Sequence, residues 1–246
     1  MSETGVLCER LEWDSSFFGF SIARAVPTRV DAKTRDAILD WCRTERITCL
    51  YFLADEDADT QVLEDAGFLR VDERVTLEMP SVPPVVAPPA GTRPARESDI
   101  ARLREIAGRA HYDSRFYNDR HFDRERSDEL YRVWIEKSCR GWAEHVVVAE
   151  HNGSPIGYVT VQLREPKSAM IGLVGVDAAW RRQGVGQRLM AGALAWISTQ
   201  PVSRVWSATQ GRNTASQRLF QKAGFRATSR AIWYHRWFSP STGAES

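Results

Sequence analysis

Six of the eleven prolines in this 246-residue chain fall between Pro80 and Pro94. Each fixes φ and removes a backbone donor. Neither a helix nor a central strand can therefore run through Pro80-Ser-Val-Pro-Pro-Val-Val-Ala-Pro-Pro-Ala-Gly-Thr-Arg-Pro94. A stretched, partly polyproline II connector is expected there. It divides the chain into a small N-terminal α/β domain over residues 1–80, which is expected to contribute to the substrate site, a linker over 81–94 and a larger domain over 95–240. There is no internal repeat, and the tail after Phe238 reads as loose.

Hydrophobic residues make up 43% and charged residues 26%, which excludes wholesale disorder. Thirty-three basic residues against thirty-two acidic ones leave a formal charge of +1, so bulk charge does not select a nucleic-acid partner. The longest apolar runs are short, as in Val146–Ala149, against about 20 residues for a spanning helix, and no membrane partner is expected. Residues 1–10 carry early acids and no apolar run, so no signal peptide is read. Cys8, Cys42, Cys49 and Cys139 lack CxxC spacing, which suits reduced thiols in the cytoplasm. His111, His121, His145, His151 and His235 include no HxxxH pair, and no metal is expected.

In the first part the periodicity predicts a helix over Ala32–Thr44, a strand over Cys49–Ala54, a short helix over Thr60–Ala66 closed by Gly67, and a strand over Arg74–Met79. In the second, a helix follows Glu97-Ser-Asp99 and reaches about Ala110, and another covers Asp128–Arg140. Two strands, His145–Glu150 and Pro155–Leu163, flank an Asn152-Gly153 turn, a strong hairpin signal. Then come a strand over Met170–Val176, a helix over Gly184–Ile197, a strand over Arg204–Thr209, a helix over Thr214–Ala223 ended by Gly224, and a last strand over Arg230–Phe238. The order is α-α-β-β-β-α-β-α-β.

Arg181-Arg-Gln-Gly-Val-Gly186 lies between one of these strands and one of these helices. Its glycines let backbone approach a ligand closely. The helix behind it aims unpaired N–H groups and its positive dipole end at an anion. Arg181 and Arg182 add charge at the rim, so the segment reads as a pyrophosphate cradle. It lacks the third glycine of a dinucleotide-binding fingerprint and the Gly-Lys-Ser/Thr of a Walker loop. The plainer alternative is a tight strand-to-helix turn.

With this turn, Asn213-Thr-Ala-Ser216 and Ala223-Gly-Phe225, residues 92–238 resemble the GCN5-related N-acetyltransferase (GNAT) superfamily, and the element order agrees. The resemblance implies an α/β fold: a central mixed, mostly antiparallel sheet flanked by helices, here with the small N-terminal α/β domain added. It implies acetyl-coenzyme A as cofactor, its pyrophosphate held by Arg181, Arg182, Gln183, Gly184, Val185 and Gly186. It places the pantetheine along a splayed strand at Leu173, Val174 and Val176, with Asn213 near the same arm. Trp13-Asp-Ser-Ser-Phe-Phe-Gly19, the Pro-rich join, Ser114-Arg-Phe116, Trp134-Ile135 with Arg140-Gly141, and Ala208-Thr-Gln210 with Asn213-Thr-Ala215 are similar to members of the superfamily that acetylate dTDP-linked 4-amino-4,6-dideoxyhexoses. A nucleotide-linked amino sugar is thus the implied small-molecule substrate. A homodimer is compatible with the family.

Acyl transfer to an amine needs a neutral amine, a polarised carbonyl, a departing thiolate and alignment of the reactants. Backbone N–H groups near Val174–Val176 are candidates for polarising the carbonyl. The family's proton donor is a tyrosine seven residues after the motif asparagine, and here that position is Phe220. A phenyl ring gives no proton, so Phe220 is read as a core aromatic that keeps at most a contact with coenzyme A. Thiols titrate near about 8.5, so a thiolate can leave without full protonation. Tyr234 and His235 on the last strand are candidate replacements, and strand alternation allows only one of them on the active face. For a base there are two clusters: Asp55-Glu-Asp57 with Asp59, which reads more readily as a solvated charge run, and His111-Tyr-Asp113 with Arg115. Arg115, Tyr117 and Arg120 are candidates to meet a substrate diphosphate. Trp13, Trp134 and Trp206 are more readily core residues than stacking platforms. No cysteine sits in a nucleophile setting, so direct attack in a ternary complex is expected. Acetylation of another small amine or a protein N-terminus, and coenzyme A binding without turnover, are the competing readings.

Overall fold

The computed structural model describes residues 6–81, 84, 87–164 and 167–238. Residues 82, 83, 85 and 86 of the expected connector, and the tail from 239, lie outside the described residues. The chain divides into two compact units. One holds the residues up to Arg74 and those from Arg230 onward, the other Val75–Ser229.

The first unit opens with β1 (Cys8–Arg10), α1 (Glu12–Phe18), β2 (Ile22–Ala25) and α2 (Ala32–Thr44). It continues with β3 (Cys49–Asp55), α3 (Gln61–Glu64) and the start of β4 (Leu69–Met79). The predicted bounds of α2 hold because both signals are local. Asp31 accepts a hydrogen bond from the Thr34 backbone N–H (2.7 Å), and Ile38, Leu39 and Cys42 form the buried stripe. The elements β1, α1 and β2 have no predicted counterpart. They are three, seven and four residues long, too short for a period to declare itself.

The second unit adds β5 (Thr92–Pro94), α4 (Ile100–Ala110), α5 (Arg115–Asn118), α6 (Arg124–Lys137), β6 (His145–His151) and β7 (Ser154–Arg164). Then follow β8 (Ser168–Val176), α7 (Val185–Ile197), β9 (Arg204–Gln210), α8 (Thr214–Lys222) and β10 (Arg226–Trp237). Within this unit the sheet order is β9-β8-β7-β6-β5. The β8–β9 pair is parallel and the β5–β6, β6–β7 and β7–β8 pairs are antiparallel. This is the mixed, mostly antiparallel sheet that was expected. Asn152 (φ 49°) and Gly153 (φ 79°) make the hairpin turn between β6 and β7.

Three differences from the sequence reading have physical causes. First, β5 lies inside the Pro-rich stretch, but at the end of the sheet order, where the donor missing from Pro94 is tolerated. Second, α6 starts four residues early because Asp123 caps it, accepting from the Arg126 N–H (2.8 Å). Third, β10 from Arg230 onward counts with the first unit, where Ala231–Trp237 pairs antiparallel with Asp55–Cys49 of β3. A strand carries no local mark of a partner so distant in sequence.

Each unit has its own apolar core. In the first it includes Ile38, Leu50, Phe52, Leu63 and Tyr234. In the second, Val159, Val161 and Ile171 of the sheet meet Leu189 and Ala193 of α7, and Phe220 and Phe225 join them. A buried ion pair braces the start of the second unit. Arg93 of β5 donates to Asp99 (2.6 and 3.0 Å) and to Glu150 at the end of β6.

Candidate active site

The sheet of the second unit is forked. The parallel pairing of β8 with β9 runs from Ser168↔Arg204 to Ile171↔Ser207 and stops there, although β8 continues to Val176 and β9 to Gln210. The Ser207 hydroxyl donates to the Ile171 carbonyl (2.8 Å) at the fork. On its other side, β8 changes register against β7, from Val161↔Ile171 to Val159↔Val174, so β8 carries one extra residue. This is a β-bulge, a device that re-aims backbone groups. The Thr160 hydroxyl closes it by accepting from the Leu173 N–H (2.8 Å). Further along, the Asp177 N–H donates to the Ile156 carbonyl (2.9 Å). In an antiparallel ladder, alternate residues turn their polar groups to opposite sides. Leu173 and Asp177 point at β7, so Val174 and Val176 point their main chain into the fork. Of the three expected pantetheine contacts, Val174 and Val176 therefore face the opening, while the N–H of Leu173 is used by Thr160.

The opening leads into the glycine turn. After β8, Asp177 caps a short 3₁₀ turn by accepting from the Ala179 N–H (2.9 Å), and Gln183 donates to the Ala179 carbonyl (2.9 Å). Arg181 ties the turn to its surroundings. It donates from Nε to the Val176 carbonyl (3.2 Å) and from Nη2 to the Arg109 carbonyl (3.3 Å) at the end of α4. Arg182 and Gly184 both take positive φ, 61° and 77°. Gly184 is the N-cap of α7 and supplies no side-chain cap, and a Cβ there would point into open space. The first intrahelical bond is Arg188 N–H to the Gly184 carbonyl. The N–H groups of Val185, Gly186 and Gln187 are thus left at the helix start, where an anion is favoured. The turn fits a pyrophosphate. Gly186 differs from expectation in one respect. Its missing side chain faces Leu219 of α8, 3.3 Å from where a Cβ would stand. It is a packing residue as well as part of the turn.

Asn213 is the N-cap of α8, its side chain accepting from the Ser216 N–H (2.9 Å). Phe220 is 2% exposed and packs edge-on against Phe225 at 5.1 Å, so its ring offers a ligand almost no surface.

An aromatic cluster covers the face of the sheet opposite α7. His111, at the end of α4, stacks on Tyr131 of α6 at 4.5 Å and lies 2.9 Å from the Tyr158 hydroxyl through Nε2. Burial, helped by the nearby Arg181 guanidinium, pushes His111 down to about 4. Burial also drives the Tyr158 phenol well above its ordinary range. At neutral pH the pair is thus an uncharged imidazole and an intact phenol. Tyr117 donates to Asp128 (2.5 Å), and its own titration is raised by burial and then by that carboxylate. Arg115 lies next to Tyr117 on α5, with its guanidinium over Phe116 at 4.6 Å.

The other candidates fall in the first unit. Tyr234 is buried on β10, and its hydroxyl donates to Glu64 (3.0 Å). His235 is buried beside Tyr51, with ring centroids 4.7 Å apart. Asp59 is exposed and accepts from the Gln61 N–H (3.1 Å) at the start of α3, while Asp55 and Asp57 share Arg29. The structure gathers the fork, the glycine turn and the His111 cluster into one unit, and these residues are not among them. Of the central pair, the sequence had pointed to His111 and had passed over Tyr158.

Among the described residues no group of three His, Cys, Asp or Glu side chains could hold a metal ion. No helix of the described residues is long and apolar enough to cross a membrane.

A profile of the acetyltransferase (GNAT) family matches residues 102–225. The chain is 29% identical, over 93% of its length and 97% of the other's, to the dTDP-fucosamine acetyltransferase of Escherichia coli O6:H1. It is 28% identical, over 58% of its length and 50% of the other's, to the spore coat polysaccharide biosynthesis protein SpsD of Bacillus subtilis. Among solved structures, a GCN5-related N-acetyltransferase from Sphaerobacter thermophilus superposes with a TM-score of 0.63 at 17% identity, covering 94% of this chain and 76% of that one.

Proposed function

The chain belongs to the acetyltransferase (GNAT) family, and we propose that it moves the acetyl group of acetyl-coenzyme A to the amino group of a nucleotide-linked amino-deoxysugar of the dTDP-4-amino-4,6-dideoxyhexose type. The observation that carries this reading is the fork between β8 and β9 running straight into the glycine turn. An extended amide-bearing arm pairs with the Val174 and Val176 main chain, and its pyrophosphate meets the start of α7. Arg181 and Arg182 offset the phosphate charge. The thioester supplies the acetyl group, and the protein contributes alignment and backbone donors. The amine attacks directly in a ternary complex. Support for the sugar comes from the E. coli relative, which matches almost the whole chain and carries such a substrate in its name. The reaction belongs to polysaccharide biosynthesis in the cytoplasm.

The test is mass spectrometry of the purified protein with acetyl-coenzyme A and a panel of dTDP- and UDP-linked amino sugars. Addition of one acetyl group to a dTDP-linked 4-amino sugar is the expected result. Acetylation of a different amine alone would replace the substrate. A second reading, coenzyme A binding without turnover, is favoured by Phe220, a core phenyl at the position where the family resemblance implies a proton-donating tyrosine. Binding with no product from any amine would establish that reading instead.

A further inference from the structure

We propose that Tyr158 and His111 form the proton relay of the transfer, Tyr158 handing its hydroxyl proton to the departing sulfur and His111 replacing it. The inference rests on the acetyl-transfer reading.

Three features put the pair against the stretch of β8 that flanks the fork, where Tyr158 itself is fully buried. Tyr158 stands opposite Gly175 in the β7–β8 register. A Cβ on Gly175 would come within 2.5 Å of the Tyr158 ring and 2.8 Å of its hydroxyl. The phenol therefore lies across β8 in the space a side chain would fill. Gly175 sits between Val174 and Val176, the two residues whose main chain turns into the fork. The hydroxyl thus lies over the stretch of β8 along which the thioester would run. Finally, His111 is fixed behind it, stacked on Tyr131 within 18° of parallel.

The proton balance follows. The amine nitrogen bonds to the acetyl carbon, and the carbon–sulfur bond breaks. The nitrogen sheds a proton, directly or through water, to Nδ1 of His111. His111 passes its Nε2 proton to the Tyr158 oxygen, and the Tyr158 hydroxyl proton goes to the sulfur. One proton enters, one leaves, and the imidazole ends in its other tautomer, which solvent exchange resets. Neither group needs to hold a charge for long, which suits a buried pair.

The relay requires His111 to donate from Nε2 in the resting protein, so that the Tyr158 proton is free to point at the fork. Long-range ¹⁵N–¹H spectra of the labelled wild-type protein read this directly, without turnover. An Nε2–H tautomer is expected. An Nδ1–H tautomer, with Tyr158 donating to the ring, would overturn the relay whatever the enzyme does. Tyr158→Phe then removes one oxygen and keeps the ring. Its kcat should fall about 10²–10⁴-fold, the usual worth of general acid help. Its acetyl-coenzyme A affinity should stay close to wild type, while its melting temperature should drop by a few degrees because the His111 Nε2–H is left unpaired. His111→Gln should lower kcat in the same way without raising KM. A Tyr158→Phe enzyme with wild-type kcat refutes the proposal while leaving the acetyl-transfer reading intact. A wild-type protein that acetylates no amine removes that reading, and the relay with it.

Discussion

The side chain of Thr160 and the backbone of Leu173 are joined by a hydrogen bond of 2.8 Å that only a glycine at position 172 allows. A Cβ on Gly172 would stand 2.7 Å from the Thr160 hydroxyl oxygen. This contact holds the bulge, and the bulge sets which main-chain groups of β8 face the fork. Thr160→Val should lower stability by about 1–3 kcal/mol, since it strands the Leu173 N–H. Gly172→Ala should cost a comparable amount by pushing the hydroxyl away. Because both act on one contact, Thr160→Val with Gly172→Ala should cost less than their sum. Urea unfolding of the three variants measures this, and strict additivity would separate the two residues.

The cradle is best tested at Gly184. An aspartate there has open space and tolerates positive φ better than most residues. Gly184→Asp should therefore still fold, at a cost of about 1 kcal/mol for the left-handed backbone. Its carboxylate, set at the start of α7, would repel a pyrophosphate. Calorimetry should show acetyl-coenzyme A affinity reduced at least about tenfold, a loss of about 1.4 kcal/mol. Undiminished affinity would take the pyrophosphate away from this turn. Gly186 is the poorer choice, because a side chain there would disturb Leu219 as well.

His111 makes stability depend on pH. Its titration is pushed from 6.5 to about 4, by burial first and by Arg181 second. As pH falls below 6.5 the unfolded chain takes up a proton that the folded chain refuses until about 4. Stability from this group is thus whole above 6.5 and declines between 6.5 and 4. At about 1.4 kcal/mol per unit, the loss is at most about 3.5 kcal/mol. Denaturant unfolding at pH 7 and pH 4.5 should show a steeper loss for wild type than for His111→Gln. Equal losses would mean that another group dominates.

Asp99 offers a stability test remote from the fork. Its side chain is 6% exposed and accepts from both Arg93 and the Arg96 N–H. Burial alone would raise this carboxyl, but these donors hold it below its usual range. Asp99→Ala leaves the Arg93 guanidinium, 13% exposed, with a buried charge that Glu150 and the Pro94 carbonyl only partly meet. The expected cost is about 3–5 kcal/mol. Arg93→Met with Asp99→Leu should recover much of it, as seen in thermal unfolding.

Asn213 separates capping from ligand contact. Asn213→Asp keeps an acceptor for the Ser216 N–H and loses the amide donor, so stability should hold. Asn213→Ala should cost about 1 kcal/mol. A rise in the KM for acetyl-coenzyme A in the Asp variant, at unchanged stability, would assign the amide to the ligand.

The parts of this protein that were legible in sequence are those with local causes. The hairpin at Asn152-Gly153, the apolar stripe of α2 and the glycine turn each follow from a few adjacent residues. The fork does not, because the pairing of β8 ends at Ile171 for reasons that involve Thr160, Ser207 and two glycines at once. Tyr234 and His235 illustrate the same limit. Alternation gives a strand two faces, but not the strand it will pair with, and β10 from Arg230 onward pairs with β3 within the first unit. Tyr158 was hidden for the opposite reason. A buried tyrosine in a strand looks like any core residue until its hydroxyl is seen to meet His111. Phe220 was correctly legible as core, since its helix carries a clear apolar stripe.

A sheet that parts in its middle has a raw edge indoors. Ordinary edges lie at the margins, where proteins blunt them with charge, proline or a short strand, as at Pro94. On the proposed reading the edge along Val174 and Val176 is not blunted in that way, because it receives an extended guest. Any flexible chain with regularly spaced amides can compete for the same slot, including a stray segment of a second copy. Occupancy by the guest is then also a safeguard. Concentrated protein kept with coenzyme A should stay monodisperse by light scattering at concentrations where the bare protein begins to self-associate.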